Sequence, residues 1–273
     1  MTLWGSRDAA EHWAQGAAVR ARALAAATAR MLDLAGVGPG SRVLALAAGT
    51  AEEAFEAAGR AGPDGFVLAT DISGEMLEIA QRQAESAGLA NLATRVVRIE
   101  DAGGLEEKPF DAAICRFGLM FLPDLGAGLD AVREALKPGG RLAAMVWEEP
   151  EQNFYPGAGL LALRAMGRRP RPDATLPRAF SLSGDRLPSA LRAAGYADVV
   201  TETARVARRF ATMDEALENL RTTPATADLI QDLDAAAQEE FWARVRELVS
   251  RHEGPDGVEV PGLARLAAGA RPA

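Results

Sequence analysis

Short apolar runs recur along the first 150 residues, each closed by a glycine, an acid or an arginine. Val43 to Ala47 lies between Gly40 and Gly49. Phe66 to Ala69 leads into Asp71, Arg95 to Ile99 into Glu100 and Asp101, and Phe110 to Cys115 into Arg116. Arg141 to Trp147 follows the turn Lys137-Pro-Gly-Gly140. Runs of this length with these bounds predict buried parallel strands. Helical spacing fills the gaps. Ala51, Ala54, Phe55 and Ala58 share one face, as do Met76, Leu77, Ala80 and Ala84, and Leu125 to Leu136 is helical. Thr50 and Glu53 have the spacing of a capping box, so the first of these helices is predicted to start at Thr50, and Ser73 is placed to cap the second. Strands alternating with helices predict a doubly wound α/β sheet of Rossmann-like type.

The flanks read differently. Residues 6 to 35 are alanine-rich with scattered arginines and predict one or two helices over the sheet edge or the site mouth, with His12 and Trp13 in the first. Val199 to Phe210 and Gly262 to Arg271 predict two more strands. Thr212-Met-Asp-Glu215 is a second capping box, and Asp228 to Ser250 carries Leu233, Ala237, Phe241, Val245 and Leu248 on one helical face. Together with the proline- and arginine-rich stretch from 148 to 180, these helices predict a cap. The division expected is N-terminal helices over 1–40, a cofactor-binding core over 41–150, and cap insertions plus final strands over 151–273.

Composition narrows the function. The 273 residues carry a net charge of −8, which speaks against a general nucleic-acid binder. One cysteine, Cys115, leaves no disulfide framework or cysteine-rich metal site, and no metal is expected. Trp4, Arg7, Asp8 and Glu11 do not resemble a signal peptide, and no apolar run reaches the roughly 18 residues of a membrane span. A soluble, cytoplasmic protein is expected, acting on a small molecule, with a homodimer left open.

Strand, glycine turn, helix, strand, acid is the first half of a Rossmann-type unit. Asp71 stands about 20 residues past the turn, where it can accept from both hydroxyls of a ribose. The turn has no GxGxxG, and Glu52 and Glu53 follow it at a helix N-terminus that a pyrophosphate would need. A nucleoside carrying positive charge suits those acids better. S-adenosylmethionine, with its sulfonium and ammonium, is such a ligand.

The motifs resemble the class I S-adenosylmethionine-dependent methyltransferases, and among them the small bacterial group similar to the ubiquinone/menaquinone C-methyltransferases. The resembling segments are Val43-Leu-Ala-Leu-Ala-Ala-Gly-Thr50, Ala69-Thr-Asp-Ile-Ser-Gly-Glu-Met-Leu77, Glu100-Asp-Ala102, Phe110 to Asp124 and Leu136-Lys-Pro-Gly-Gly-Arg141. The resemblance implies a seven-stranded sheet with an antiparallel last strand and a helical cap. It places Ala47, Gly49 and Thr50 against the methionine part of the cofactor, and Asp71 on the ribose. Ile72 and Met76 lie by the adenine, Asp101 meets its amino group, and Ala102 packs on the ring. Arg116 and Phe117 border the methyl group and the substrate, although Arg116 can equally serve as a structural ion-pair partner.

The reaction implied is methyl transfer to a carbon or oxygen of a small, largely apolar or aromatic acceptor. His12, Arg116, Glu148 and Tyr155 are the catalytic candidates, and His12, Glu148 or Tyr155 would act wherever a base is needed. Two positions depart from the family pattern: Ala45 stands where an acid usually ends the first strand, and Ala51 where a third glycine usually stands. They motivate an alternative, a methyltransferase-fold protein that cyclises or rearranges a small metabolite, with the cofactor structural or absent. Asp71→Ala is expected to remove nucleoside binding with little change in the thermal transition. Ala45→Asp is expected to tighten cofactor binding, and Ala51→Gly to add less, because it only removes a Cβ and loosens the helix start.

Overall fold

The computed structural model describes residues 7–273. Trp4 and the side chain of Tyr155 lie outside the described residues. The chain runs α1 (Arg7–Gln15), α2 (Ala17–Ala35), β1 (Arg42–Leu46), α3 (Glu52–Ala61), β2 (Phe66–Asp71), α4 (Gly74–Ser86), β3 (Leu92–Val96), β4 (Phe110–Arg116), α5 (Leu125–Ala135) and β5 (Leu136–Trp147). It continues with α6 (Phe154–Ala165), α7 (Thr175–Arg178), α8 (Arg186–Ala193), β6 (Ala197–Phe210), α9 (Met213–Arg221), α10 (Pro224–Ile230), α11 (Ala235–Ser250), β7 (Glu253–Gly254) and β8 (Gly257–Ala270).

One sheet carries everything, in the order β3-β2-β1-β4-β5-β8-β6, with the two-residue β7 paired to β8. The β1–β2, β2–β3, β1–β4 and β4–β5 pairs are parallel. The last long strand, β8, runs antiparallel to both β5 and β6. This is the expected architecture, with β7 as an added hairpin edge. Val43 to Leu46 and Val67 to Asp71 are buried along their length, as strands covered on both faces must be.

α2 buries Leu24, Ala27, Met31, Leu32 and Ala35, spaced three and four apart, against β4, β5, β6 and β8. α1 packs separately, with Ala10, Trp13 and Ala14 meeting Met76 and Ile79 of α4. Leu136–Trp147 is one strand, so Lys137-Pro-Gly-Gly140 lies within it, at a register shift against β4, rather than before it. β6 and β8 continue beyond the end of β5: Trp147 pairs with Ala264, whereas β6 still pairs with β8 out to Val258. The cap hangs from this extension, α6 leaving the end of β5 and α9 to α11 joining β6 to β7. The amphipathic stretch from 228 to 250 is broken in two, because Asp234 caps a new helix by accepting from the Ala237 amide at 2.8 Å. Phe241, Val245 and Val249 of α11 are buried, and α11 packs on α6. Among the described residues no helix is long and apolar enough to cross a membrane.

Candidate active site

The site is built around the turn between β1 and α3. Ala47, Gly49 and Ala51 all take left-handed backbone angles, with φ of 48°, 55° and 65°. Two alanines therefore hold a conformation that glycine adopts without a Cβ penalty. The predicted capping box does not form. α3 starts at Glu52, its N-cap is Ala51, and no side chain caps it. Ala51 in the left-handed region turns Thr50 out of the capping position, and the Thr50 hydroxyl donates instead to Glu52 Oε1 at 2.5 Å.

Asp71 ends β2 and closes the turn from the other side. Its Oδ2 accepts from the Gly49 amide at 2.8 Å and its Oδ1 from the Ser73 amide at 2.9 Å. Burial pushes its pKa up, while the amides of Ser73, Gly49 and Ile72 hold it down. Each carboxylate oxygen has further lone pairs, so two more donors, such as a ribose diol, can be accepted. Beside it Ile72 is half exposed and Val96 is exposed, an apolar edge next to the acid. Asp101 is exposed and Ala102 buried in the short 3-10 turn Ile99–Gly104 beyond β3. Gly49, Asp71 and Ile72 thus stand at the carboxyl ends of β1 and β2, and Asp101 and Ala102 follow the end of β3.

Met76 is buried, and not by a neighbouring loop but by α1. A Cβ on Gly49 would meet Trp13 Nε1 at 3.4 Å and Met76 Sδ at 3.6 Å. The Trp13 ring also lies under the Arg20 guanidinium, 3.8 Å from its centroid. The N-terminal helix therefore covers the turn. His12 is half-buried on that helix beside Trp13.

The floor of the turn is a buried charge cluster. Arg20 of α2 donates to Glu52 Oε1 at 2.9 Å and to Thr50 Oγ1 at 3.3 Å. Arg116, ending β4, donates to Glu52 Oε2 at 2.6 Å and Thr28 Oγ1 at 3.3 Å, and its Nη2 lies 2.7 Å from Glu53 Oε2. The four charged side chains are each 10% exposed or less. Burial pushes Glu53 up to about 7, against the pull of Arg116. Cys115 beside it is pushed up to about 12, again by burial, and stays a neutral thiol. Arg116 thus has the ion-pair role left open from the sequence. Arg20 is the residue sequence reasoning missed. Its signal was position: it precedes Leu24, Ala27 and Met31 at helical spacing, on the buried face of an alanine-rich helix.

Past Arg116 the edge becomes apolar. Phe117, with φ of 60°, stacks on Trp147, ring centroids 4.0 Å apart and planes 15° apart. Trp147 forms one wall of a narrow cleft with Leu24 of α2, Pro156 of α6, Val206 and Arg208 of β6 and Val260 of β8. Glu148 is not in it. Its Oε1 receives the Arg265 guanidinium at 2.6 Å and its Oε2 the Gly184 amide at 2.8 Å. Tyr155 contributes a backbone position in α6 next to Pro156.

Strand order, an antiparallel β8 and a tight turn between β1 and α3, answered by an acid at the end of β2, define the fold of class I S-adenosylmethionine-dependent methyltransferases. Residues 38–154 match a family model described as a methyltransferase domain. The chain is also similar to the ubiquinone/menaquinone biosynthesis C-methyltransferase UbiE. It is 31% identical to the Pasteurella multocida protein over 119 residues, 44% of each chain, and 32% identical to that of Edwardsiella ictaluri over 120 residues, 44% of this chain and 48% of the relative. The match spans less than half the length of these curated relatives. Among solved structures, the YcgJ protein of Bacillus subtilis superposes with a TM-score of 0.59 at 17% identity, covering 90% of this chain and 98% of that one. The [4+2]-cyclase SpnF superposes with a TM-score of 0.52 at 20% identity, over 90% and 81%. The resemblance read from the motifs is borne out over the core, and the fold over nearly the whole chain.

Proposed function

We propose that this protein is an S-adenosylmethionine-dependent methyltransferase acting on a small, largely apolar or aromatic acceptor at carbon or oxygen. The observation that carries the reading is the turn from Ala47 to Ala51, held in left-handed geometry and tied through Gly49 to a buried Asp71 carboxylate with acceptor capacity to spare. That arrangement fits a nucleoside. Asp71 would accept from the ribose, Ile72 and Ala102 would flank the base with Met76 beneath, and Asp101 would receive its amino group. Ala47, Gly49 and Thr50 would lie along the amino-acid end. Bound S-adenosylmethionine supplies an electrophilic methyl group on sulfur. The protein's part is to hold an acceptor in line with it, and positioning of this kind supplies much of the acceleration in a two-substrate reaction.

The stacked Phe117 and Trp147 rings past Arg116 support the acceptor class, because they put aromatic surface at the carboxyl ends of β4 and β5. An acidic hydroxyl or enolic carbon needs little help in losing its proton. Where a base is needed, the His12 imidazole or the Tyr155 hydroxyl would take it. Glu148 is the weakest of the three, since both its oxygens are engaged.

A second reading rests on Ala45 and Ala51: the same fold carrying a cyclisation or rearrangement, as the name of the similar SpnF structure describes for that protein. Incubation with methyl-labelled S-adenosylmethionine and a panel of hydroquinones, phenols and enolic ketones separates the two. Label appearing in product supports methyl transfer. Cofactor binding with an unlabelled, isomerised product supports the second reading.

A further inference from the structure

The carboxylate absent at Ala45 has a counterpart in space. Ala45 pairs with Ile114 in the parallel ladder, so the two face the same side of the sheet. Arg116, two residues beyond Ile114, faces that side as well, and there its guanidinium meets Thr28 of α2 and Glu52 and Glu53 of α3. An acid on the strand at position 45 would point into this layer. Glu53 brings one into it from the helix.

Two buried atoms of the cluster are left without hydrogen bonds. Glu53 Oε2 is close to Arg116 but out of alignment with its N–H groups, and Arg20 Nε donates to nothing. These residues are 2% and 6% exposed, and buried polar atoms are nearly always paired. One orphan is an acceptor on an anion and the other a donor on a cation. Glu52 links them, holding Arg20 through Oε1 and Arg116 through Oε2. An acceptor and a donor of this kind complement a zwitterion, whose ammonium donates and whose carboxylate accepts.

We propose that the Arg20–Glu52–Arg116–Glu53 chain recognises the zwitterionic α-amino-acid end of the ligand, with Glu53 taking the ammonium in place of the missing strand acid and Arg20 taking the carboxylate. The inference rests on the cofactor reading given above. The groups that act on Glu53 are Arg116 from β4, Arg20 from α2 and Glu52 on its own helix, while Glu53 and Asp71 of β2 act in turn on the Cys115 thiol. Glu53 titrates near neutrality, and only its ionised form attracts an ammonium. Binding through it therefore strengthens as pH rises toward 7 and releases a proton below that point.

The test compares two ligands. S-adenosylhomocysteine carries the amino-acid end, and methylthioadenosine keeps the nucleoside thioether without it. Both are titrated calorimetrically into wild type, Glu53→Gln, Arg20→Gln and the double variant Glu53→Gln/Ala45→Asp, at about pH 6 and about pH 8, one unit either side of the Glu53 value. For the homocysteine ligand, Glu53→Gln should weaken binding about 10- to 100-fold, the scale of one charge-assisted hydrogen bond, and abolish the pH dependence. Arg20→Gln should weaken the same ligand. Methylthioadenosine should bind all four proteins alike, and Ala45→Asp should recover most of what Glu53→Gln loses. Equal losses for both ligands would mark the cluster as structural, and no loss for either would remove its role. Both outcomes overturn this proposal while wild-type binding keeps the cofactor reading standing. Failure of wild type to bind either ligand overturns the two together.

Discussion

Replacing Asp71 by alanine should cost stability as well as ligand. From its place in the sequence the side chain looks free to leave, a strand-end acid reserved for a ribose. In the fold it holds two buried amides, Gly49 at 2.8 Å and Ser73 at 2.9 Å, and so pins the turn of β1 to the start of α4. Alanine leaves both amides without an acceptor, at about 1–3 kcal/mol each. Part of this is returned, because burying the carboxylate is itself unfavourable and pushes its pKa up. A net loss of about 2–4 kcal/mol follows, and at about 2–4 °C per kcal/mol for a chain of this size Tm should fall by about 4–16 °C. Asp71→Asn keeps one acceptor oxygen and should lose roughly half as much. Thermal unfolding and urea titration of the three proteins measure this, and S-adenosylhomocysteine binding should weaken at least about tenfold in both variants. A Tm for Asp71→Ala within about 1 °C of wild type would mean that the two amides do not depend on that carboxylate.

Gly118→Ala should be costly, because the new Cβ would lie 2.5 Å from the Cβ of Ala47 and 2.8 Å from Cys115 Sγ. Overpacking of about 1–3 kcal/mol is expected, and adding Ala47→Gly should recover part of it in a double-mutant cycle, whereas strict additivity would contradict the contact. Ala51→Gly should raise Tm slightly or leave it alone, contrary to the loosening expected from the sequence, because position 51 sits in the left-handed region outside the helix; a drop of more than about 1 kcal/mol in a urea titration would contradict this. The folded-state pKa of Glu53, about 7, lies above its ordinary 4.5, so its contribution to stability is full below about pH 4.5 and is lost as pH rises through about 7. Glu53→Gln does not titrate, so the stability of wild type relative to the variant should fall between about pH 5 and pH 8 by up to about 3 kcal/mol, and parallel curves would contradict it.

What could be read from the sequence follows from where its signals are local. Strand runs such as Val43 to Ala47 and caps such as Ser73, which accepts from the Met76 amide at 3.3 Å, depend on neighbours in the chain, and both were legible. Thr212 likewise caps α9, accepting from the Glu215 amide at 3.2 Å. The capping box at Thr50 and Glu53 failed because residues far along the chain outbid it. Arg116, 64 positions beyond Glu52, and Arg20 draw both glutamates inward. The same long-range pairing hid the use of Glu148, whose partners Arg265 and Gly184 come from β8 and the loop before α8. The sequence puts Trp13 near the site mouth, but its seat against Gly49 and Met76 depends on the packing of α1 on α4.

If the proposed function holds, the turn of β1 and the end of β2 are where S-adenosylmethionine binds. Photo-crosslinking with methyl-labelled S-adenosylmethionine, followed by peptide mapping, tests it most directly. The label should fall on peptides spanning 41–60 and 66–80 and should be displaced by S-adenosylhomocysteine. Label confined to the cap between 150 and 250, or no displaceable label at all, would contradict the claim.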